Sequence, residues 1–380
     1  MRGRVSSAHT TVSPYRWTVL AAGVFATAAN SAILLGLPAI APALRRAYDL
    51  TLTQVGVVLA ALNFGALATL LLWGIVADRI GERRVIAAGQ VGAAAALVWA
   101  ARTSSYGALV AALSVTGALG AGVNAASGRA VMGWFGEHER GLALGIRQMG
   151  VPLGGAVAAG ALPALNDQIS LGAAFYGLAV GCLVSALIGA SLIRAEPNEE
   201  HSVLARPLRD ARIWRICTAS TFYVMTQISL LGFFVLFLHD RRGASTAVAA
   251  SALAATQLLG GAARIAAGRW SDRLRARVVP LRKVALALAV SLGAVAALVR
   301  APLPILVPAL VLAGAFGLSW NGLSFTAAAE AAGRARSGAA LGLQQTFLSG
   351  GSIVAPIGRG GSHSPSQRSV RSWATRCSVR

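Results

Sequence analysis

The chain has 380 residues, of which 56% are hydrophobic and only 12% are charged, and its formal net charge is +21. This composition excludes a soluble globular protein, which needs more charged residues to cover its surface. The positive charge does not indicate nucleic-acid binding, because the arginines fall in short segments between apolar runs and form no continuous basic face. The sequence therefore predicts an all-α polytopic membrane protein whose surroundings are the lipid bilayer, with no nucleic-acid partner.

Eleven apolar runs are long enough to cross a bilayer as helices, since a hydrocarbon core of about 30 Å needs about 20 helical residues. The predicted spans are 17–43, 54–76, 85–101, 106–133, 141–164, 171–193, 214–238, 247–267, 281–299, 303–328 and 338–357. They define a cytoplasmic N-terminal segment (1–16), a six-helix bundle (17–193), a cytoplasmic linker (194–213), a bundle of helices 7–11 (214–357) and a basic tail (358–380).

The basic residues between the spans predict the orientation of the chain. With the N-terminus in the cytoplasm, twenty arginine and lysine residues fall in inside segments and six in outside segments. Because such residues accumulate on the cytoplasmic side, we expect a cytoplasmic N-terminus in a multi-pass protein of the cytoplasmic (inner) membrane. Cys182, Cys217 and Cys377 have no metal-binding or redox spacing, and neither a metal nor a cofactor is predicted.

A charged segment between spans two and three, Gly74–Arg84, reads Gly-Ile-Val-Ala-Asp-Arg-Ile-Gly-Glu-Arg-Arg. A second copy, Gly-Arg-Trp-Ser-Asp-Arg-Leu-Arg-Ala-Arg, begins 194 residues later at Gly268. This duplicated pattern resembles the signature loop of major facilitator superfamily transporters. The resemblance implies two helix bundles that rock about a central solute site, with the signature loops as a cytoplasmic latch.

In that latch, the resemblance implies that Asp78 faces the start of the eleventh helix near Gly338. The following arginines would complete a charge relay, or alternatively would only set the topology. The latch residues are Gly74, Asp78, Arg79, Gly81, Arg83, Arg84, Gly268, Asp272 and Arg273.

The fifth predicted span is rich in small residues and contains a proline. Small residues four apart let helices approach closely, and a proline frees a backbone carbonyl that needs another partner. The segment resembles the glycine/proline motif of antiport subfamilies, although Val151 separates its glycine from its proline. We interpret it as a packing and hinge element made of Gly145, Gly150, Pro152, Gly154 and Gly155.

Polar residues inside the spans are candidates for the solute cavity, because such groups are costly in lipid and usually face the bundle interior. The candidates are Arg147, Arg264, Asn30, Asn63, Asn124, Gln148, Gln257, Asn321 and Gln345. Gln227 and Gln344 are further amides within spans, and any of the amides could simply link helices. Arg129 is interpreted as a helix-end residue that reaches toward the membrane surface. An arginine in the middle of the eighth span resembles anion-transporting branches of the family.

An internal repeat supports two related halves. Residues 117–124 align with 314–321, and 144–148 align with 341–345, both at an offset of 197. Six spans separate the copies, so the repeat is parallel, as in the two halves of major facilitator transporters. On the predicted topology no acidic residue or histidine lies at mid-membrane, which disfavours export of cationic drugs through a buried carboxylate.

The tail after Gly358 contains no apolar run, so a twelfth helix is missing from the pattern. We interpret residues 359–380 as a frameshift or truncation, with a natural basic tail as the alternative. The predicted function is a monomeric secondary transporter, not an enzyme, that moves a small solute by alternating access, with an organic or inorganic anion favoured. The alternatives are efflux of a drug or metabolite, and a non-transporting truncated remnant.

Overall fold

The computed structural model describes residues 13–194 and 210–357. Within these ranges the chain forms fifteen α-helices, and no β-strand occurs there. The helices are α1 (Tyr15–Gly36), α2 (Ala41–Ala47), α3 (Leu52–Ile80), α4 (Glu82–Arg102), α5 (Tyr106–Gly120), α6 (Gly122–Trp134), α7 (Arg140–Arg147), α8 (Gly150–Gln168), α9 (Leu171–Leu192), α10 (Ala211–Leu236), α11 (Thr246–Leu274), α12 (Val278–Ala297), α13 (Leu303–Ser319), α14 (Asn321–Ala332) and α15 (Ser337–Ile357). The interpretations of segment 1–12, of most of the linker and of the tail fall outside the described residues.

The helices reproduce the predicted spans, with corrected ends. Among the described residues, ten helical stretches are long and apolar enough to cross a membrane, and the eleventh predicted span coincides with α15, which has 21 residues. Several spans are broken helices rather than continuous ones: Leu37–Ile40 separates α1 from α2, Ala121 separates α5 from α6, and Trp320 separates α13 from α14. A hydropathy pattern cannot reveal these breaks, because the residues at the break are as apolar as their neighbours.

The segment predicted as a loop at Gly74–Arg84 is almost entirely helical. Helix α3 continues to Ile80 and α4 begins at Glu82, so that Gly81 alone forms the turn, with φ of 85°. Glycine adopts this conformation without steric cost. In the second copy, Arg275 stands 194 residues later at the same place, with φ of 48°. The second signature is therefore weaker in sequence while its backbone keeps the same turn.

The two halves, α1–α9 and α10–α15, repeat one packing scheme. Helix α1 packs against α8 and α3 against α5 in the first half. In the second half, α10 packs against α15 and α11 against α13 in the same relation. The offset of 197 seen in the sequence thus corresponds to a structural repeat.

The halves meet through close glycine contacts at one end of the molecule. A Cβ atom on Gly74 would lie 2.4 Å from the carbonyl oxygen of Gly338, and one on Gly268 would lie 2.2 Å from that of Gly141. Farther along, a Cβ on Gly342 would lie 2.6 Å from the carbonyl oxygen of Leu70. Beyond these contacts, residues of α3 and α15 line opposite parts of the wall of a cavity between the halves.

Candidate functional site

The cavity lies between the two halves and has a volume of about 390 Å³, within the range of small-molecule sites. Both halves contribute to its wall, and seven lining side chains are amides: Asn30, Asn63, Asn124, Gln148, Gln227, Asn321 and Gln345. Among the described residues, Arg264 is the only charged side chain in this wall. The cavity is thus polar and carries one positive charge.

Most predicted cavity residues line this space, but two do not. Gln257 is exposed and is absent from the wall, although it lies two helical turns from Arg264 on nearly the same face of α11. Arg147 is fully buried behind the wall. Gln227 also lines the cavity, and its only signal in the sequence is an amide within an apolar span, which Gln257 shares.

Arg264 of α11 is only 5% exposed and reaches across to the first half. Its Nε donates to the carbonyl oxygen of Leu318 at 2.7 Å, and its Nη1 donates to that of Gln148 at 3.1 Å. Pro152 has no N–H to donate to the Gln148 carbonyl four residues earlier, and that carbonyl oxygen accepts instead from the guanidinium and, at 3.3 Å, from the Val151 amide. Within the described chain, Nη2 donates no hydrogen bond and no carboxylate forms an ion pair with Arg264.

Arg147, at the end of α7, is held by neutral groups. Its Nε donates to Ser127 Oγ at 3.0 Å, and its Nη1 donates to Gln148 Oε1 at 2.8 Å. Its Nη2 donates to the carbonyl oxygen of Asn124 at 2.8 Å and to Asn124 Oδ1 at 3.2 Å. In the described part of the chain no ion pair includes Arg147. Two guanidinium groups without carboxylate partners therefore lie at or just behind the cavity wall.

Asp78, near the end of α3, caps the N-terminus of α15 from the opposite half. Its Oδ1 accepts from the Gly338 amide at 2.9 Å and its Oδ2 accepts from the Ala339 amide at 2.7 Å. The side chain is nearly inaccessible, with 2% of its surface exposed. A carboxylate in this position satisfies free N–H groups and interacts favourably with the helix dipole.

The basic partner of Asp78 differs from the expected one. Arg129 of α6 places its Nε 3.1 Å from Asp78 Oδ1 and also pairs with Glu82. It is 6% exposed, which corrects the interpretation that it reaches toward the membrane surface. The arginines of the signature itself are exposed and form no ion pair with the described residues: Arg79, Arg83 and Arg84.

Asp272, near the end of α11, repeats this arrangement in the other direction. Its Oδ1 accepts from the Gly141 amide at 2.9 Å and its Oδ2 accepts from the Leu142 amide at 2.8 Å, at the start of α7. The expected partner Arg273 is exposed, and Arg277 pairs with Asp272 instead.

Arg277 also pairs with Glu330, at 2.9 Å. Burial alone would lower the pKa of the Arg277 guanidinium, but the hydrogen bonds and charges of Glu330 and Asp272 outweigh it and raise that pKa. The arginine of this cluster therefore stays charged at any physiological pH.

The predicted packing and hinge element surrounds the break between α7 and α8. A Cβ on Gly154 would lie 2.0 Å from the carbonyl oxygen of Ala28 in α1, and one on Gly150 would lie 2.5 Å from that of Val24. Gly155 lies against the Leu35 side chain, whereas Gly145 faces the Arg264 backbone across the two halves. The helix breaks at positions 148–149, one turn before Pro152, so the glycines pack closely on both sides of a real bend.

Side chains that could ligate a metal are scattered over residues 13–194 and 210–357. No group of three or more metal-ligating side chains lies close enough there to hold a metal ion. The arrangement instead joins a polar cavity to two carboxylate-capped contacts that close one of its ends.

Comparison with known proteins agrees with this architecture. A model of the Major Facilitator Superfamily matches residues 19–356. An uncharacterized MFS-type transporter of Mycobacterium tuberculosis (strain ATCC 25618 / H37Rv) is 34% identical over 337 residues, which are 87% of this chain and 76% of that protein. The crystal structure of the MFS transporter FucP in the outward conformation aligns with a TM-score of 0.68 at 20% identity, over 90% of each chain. That of the human organic anion transporter MFSD10 aligns with a TM-score of 0.72 at 15% identity, over 91% of this chain and 93% of that one. At such identities these two structures show the shared fold alone.

Proposed function

Because the chain belongs to the major facilitator superfamily of membrane transporters, we propose that its solute is a small organic or inorganic anion, carried across the cytoplasmic membrane by alternating access. The observation that carries this proposal is Arg264, a buried guanidinium in the cavity wall with an unused terminal nitrogen and no carboxylate partner within the described chain. Buried charges are normally paired, and here the solute itself would supply the partner.

The other lining groups favour the same class of solute. The wall carries neutral amides and, among its described residues, neither a carboxylate nor a histidine. A cation would be repelled by Arg264, and a neutral solute would displace water and leave the guanidinium unpaired. A planar carboxylate or oxyanion can instead accept two parallel hydrogen bonds from a guanidinium. These features also argue against efflux of cationic drugs.

The closing contacts support an outward-facing state. With the N-terminus in the cytoplasm, as the distribution of basic residues indicates, Asp78 and Asp272 lie at the cytoplasmic end. Both carboxylates cap helices of the opposite half, so the halves touch at that end and the cavity lies beyond. We propose that these bonds break when the halves rock to open the cavity to the cytoplasm.

The test is uptake of named anions by proteoliposomes that contain the full chain. Acetate, lactate, benzoate, succinate, phosphate and sulfate form the panel, with glucose and tetraphenylphosphonium as neutral and cationic comparisons. We expect uptake of at least one anion, and Arg264→Gln should raise its KM by about 10- to 100-fold, the effect of losing a charged hydrogen bond.

Gln257→Ala is the matched control, because it changes an exposed side chain of the same helix outside the cavity wall. Its KM should stay within about twofold of the unchanged protein. Uptake of glucose or of the cation but of no anion, or anion uptake insensitive to Arg264→Gln, would contradict the proposal.

A further inference from the structure

The buried Arg147 has a neutral counterpart in the other half. Ser127 and Arg147 recur 197 residues later as Ser324 and Gln344. Arg147 Nε donates to Ser127 Oγ at 3.0 Å, and Gln344 Nε2 donates to Ser324 Oγ at 2.5 Å. The same link between neighbouring helices is therefore made by a guanidinium in one half and by an amide in the other. Packing of this link does not require a positive charge.

The guanidinium of Arg147 also fixes the orientation of two amide side chains in the cavity wall. Arg147 donates to Gln148 Oε1 at 2.8 Å and to Asn124 Oδ1 at 3.2 Å. A guanidinium has donors only, so it holds both amides by their carbonyl oxygens. Both residues line the cavity, and neither of their NH₂ groups donates to another described residue. These NH₂ groups are left for the solute.

The repeat supplies an internal comparison. Gln345 is the counterpart of Gln148, it lines the cavity as well, and its side chain forms no hydrogen bond with the described residues. The neighbouring Gln344 directs its own NH₂ group to Ser220 and Ser324. Without an arginine behind it, Gln345 can present either its oxygen or its nitrogen to the cavity.

A third amide is fixed in the same sense by another donor. Gln227 Oε1 accepts from the indole Nε1 of Trp320 at 3.1 Å, and an indole N–H can only donate. Trp320 is fully buried and stacks on Tyr223 with 5.2 Å between ring centroids. The NH₂ group of Gln227 is therefore also directed away from the protein interior.

We infer that Arg147 is a positioning residue that makes Asn124 and Gln148 hydrogen-bond donors, so that the site accepts a carboxylate and rejects the neutral amide of the same shape. Together with Gln227 and the free Nη2 of Arg264, the site offers donors from both halves. A carboxylate has acceptors only and matches them, whereas the NH₂ group of a carboxamide would face other donors. This inference rests on the proposed anion transport.

The experiment compares acid and amide pairs of equal shape: acetate with acetamide, lactate with lactamide, and benzoate with benzamide. Each is tested as substrate or competitor of uptake in proteoliposomes with the full chain, and the readout is the ratio of the two affinities in a pair. Arg147→Gln reproduces the residue of the other half, and a glutamine can donate or accept. Arg147→Lys keeps a group that only donates.

In the unchanged protein we expect the acid to be preferred, and Arg147→Gln should lower the acid-to-amide ratio by about tenfold or more. Arg147→Lys should keep most of the preference, although a lysine fits the bidentate position less well. If Arg147 had only a structural role, Arg147→Gln would keep more of the acid-to-amide preference than Arg147→Lys, because glutamine already makes this link in the second half. A ratio that Arg147→Gln leaves unchanged, or that both variants lower equally, overturns the inference while anion transport stands. An unchanged protein that takes up an anion but shows no preference for the acid overturns the inference alone, whereas uptake of no anion overturns the proposed function as well.

Discussion

Arg129 is the central charge of the contact around Asp78. It lies between Asp78 and Glu82, and each of these carboxylates forms an ion pair with it. Asp78 also accepts two amide hydrogen bonds from the start of α15, where the helix dipole is positive. Removing the guanidinium would take away the positive charge that these two neighbouring carboxylates share.

We therefore expect Arg129→Gln to destabilise the protein by about 3–5 kcal/mol, the usual result of breaking a buried ion pair by removing one partner. Arg79→Gln is the matched control, since Arg79 is exposed on the neighbouring helix and forms no ion pair with the described residues. Its effect should stay within about 0.5 kcal/mol. Both free energies of unfolding can be measured by denaturant titration in micelles. Equal losses for the two variants would show that the buried ion pairs of Arg129 stabilise the protein no more than the exposed Arg79 does.

At the scale of single residues, the sequence is a better guide to the functional residues themselves than to the residues that contact them. Asp78 was expected to face the start of the eleventh helix, and Gly338 and Ala339 are the amides it contacts. Arg129 was not expected there, because it lies 47 residues from Glu82 and only the packing of α6 against α3 and α4 brings it in. Gln257 shows the reverse failure, since residue type and helix face do not tell how far along α11 the cavity wall extends.

At the scale of elements, the contact between α7 and α11 depends on glycine. A Cβ on Gly268 would lie 2.2 Å from the backbone oxygen of Gly141, which cannot move aside as a side chain can. The two capping bonds of Asp272 lie beside this contact. The close approach of the α7 and α11 backbones and the capping of α7 by Asp272 therefore occur together in the closed state of this end of the molecule.

We expect Gly268→Ala to open this end of the molecule, because overpacking at a close contact costs about 1–3 kcal/mol. Spin labels at Arg83→Cys and Arg273→Cys, exposed on opposite halves, report the separation once Cys377 is replaced by serine. Cys182 and Cys217 are fully buried. The variant should add a population at longer distance. Gly293→Ala serves as control, since no atom lies within 4 Å of its added Cβ. If both variants give the same distance distribution, the glycine contact does not hold the halves together.

The order and type of elements followed from hydropathy, since each predicted span coincides with a helical stretch. The breaks inside the spans did not follow. Pro152 predicted a bend with a freed carbonyl, but only the fold shows that Arg264 from the other half donates to it. A hydrogen bond between halves depends on how they pack, which no local pattern in either half contains.

At the scale of the whole molecule, both carboxylate-capped contacts lie at one end and the cavity lies beyond them. Asn63 is exposed and lines the cavity, whereas Arg83 is exposed beside the closing contacts. We therefore expect the two positions to report opposite sides of the membrane.

We expect a membrane-impermeant maleimide to label Asn63→Cys in right-side-out vesicles, and Arg83→Cys only in inverted vesicles, both with serine at position 377. The physical reason is that water reaches the cavity from one side only while the capped end stays closed. The reversed pattern would place the N-terminus outside. Labelling of Asn63→Cys from the cytoplasmic side alone would show that the protein rests with its cavity open inward.

The exchanged capping carboxylates also bear on how the protein is made. Helix α7 receives its cap from Asp272, which is translated 131 residues after Gly141. Ribosomes add about 5–20 residues per second, so the first turn of α7 exists for on the order of ten seconds before its carboxylate is available. Helix α15, in contrast, emerges when Asp78 is already in the membrane. The N-terminus of α7, in the first half, is thus capped only after the second signature has been inserted. The capping bonds that later close the cavity therefore also join the two halves during biosynthesis.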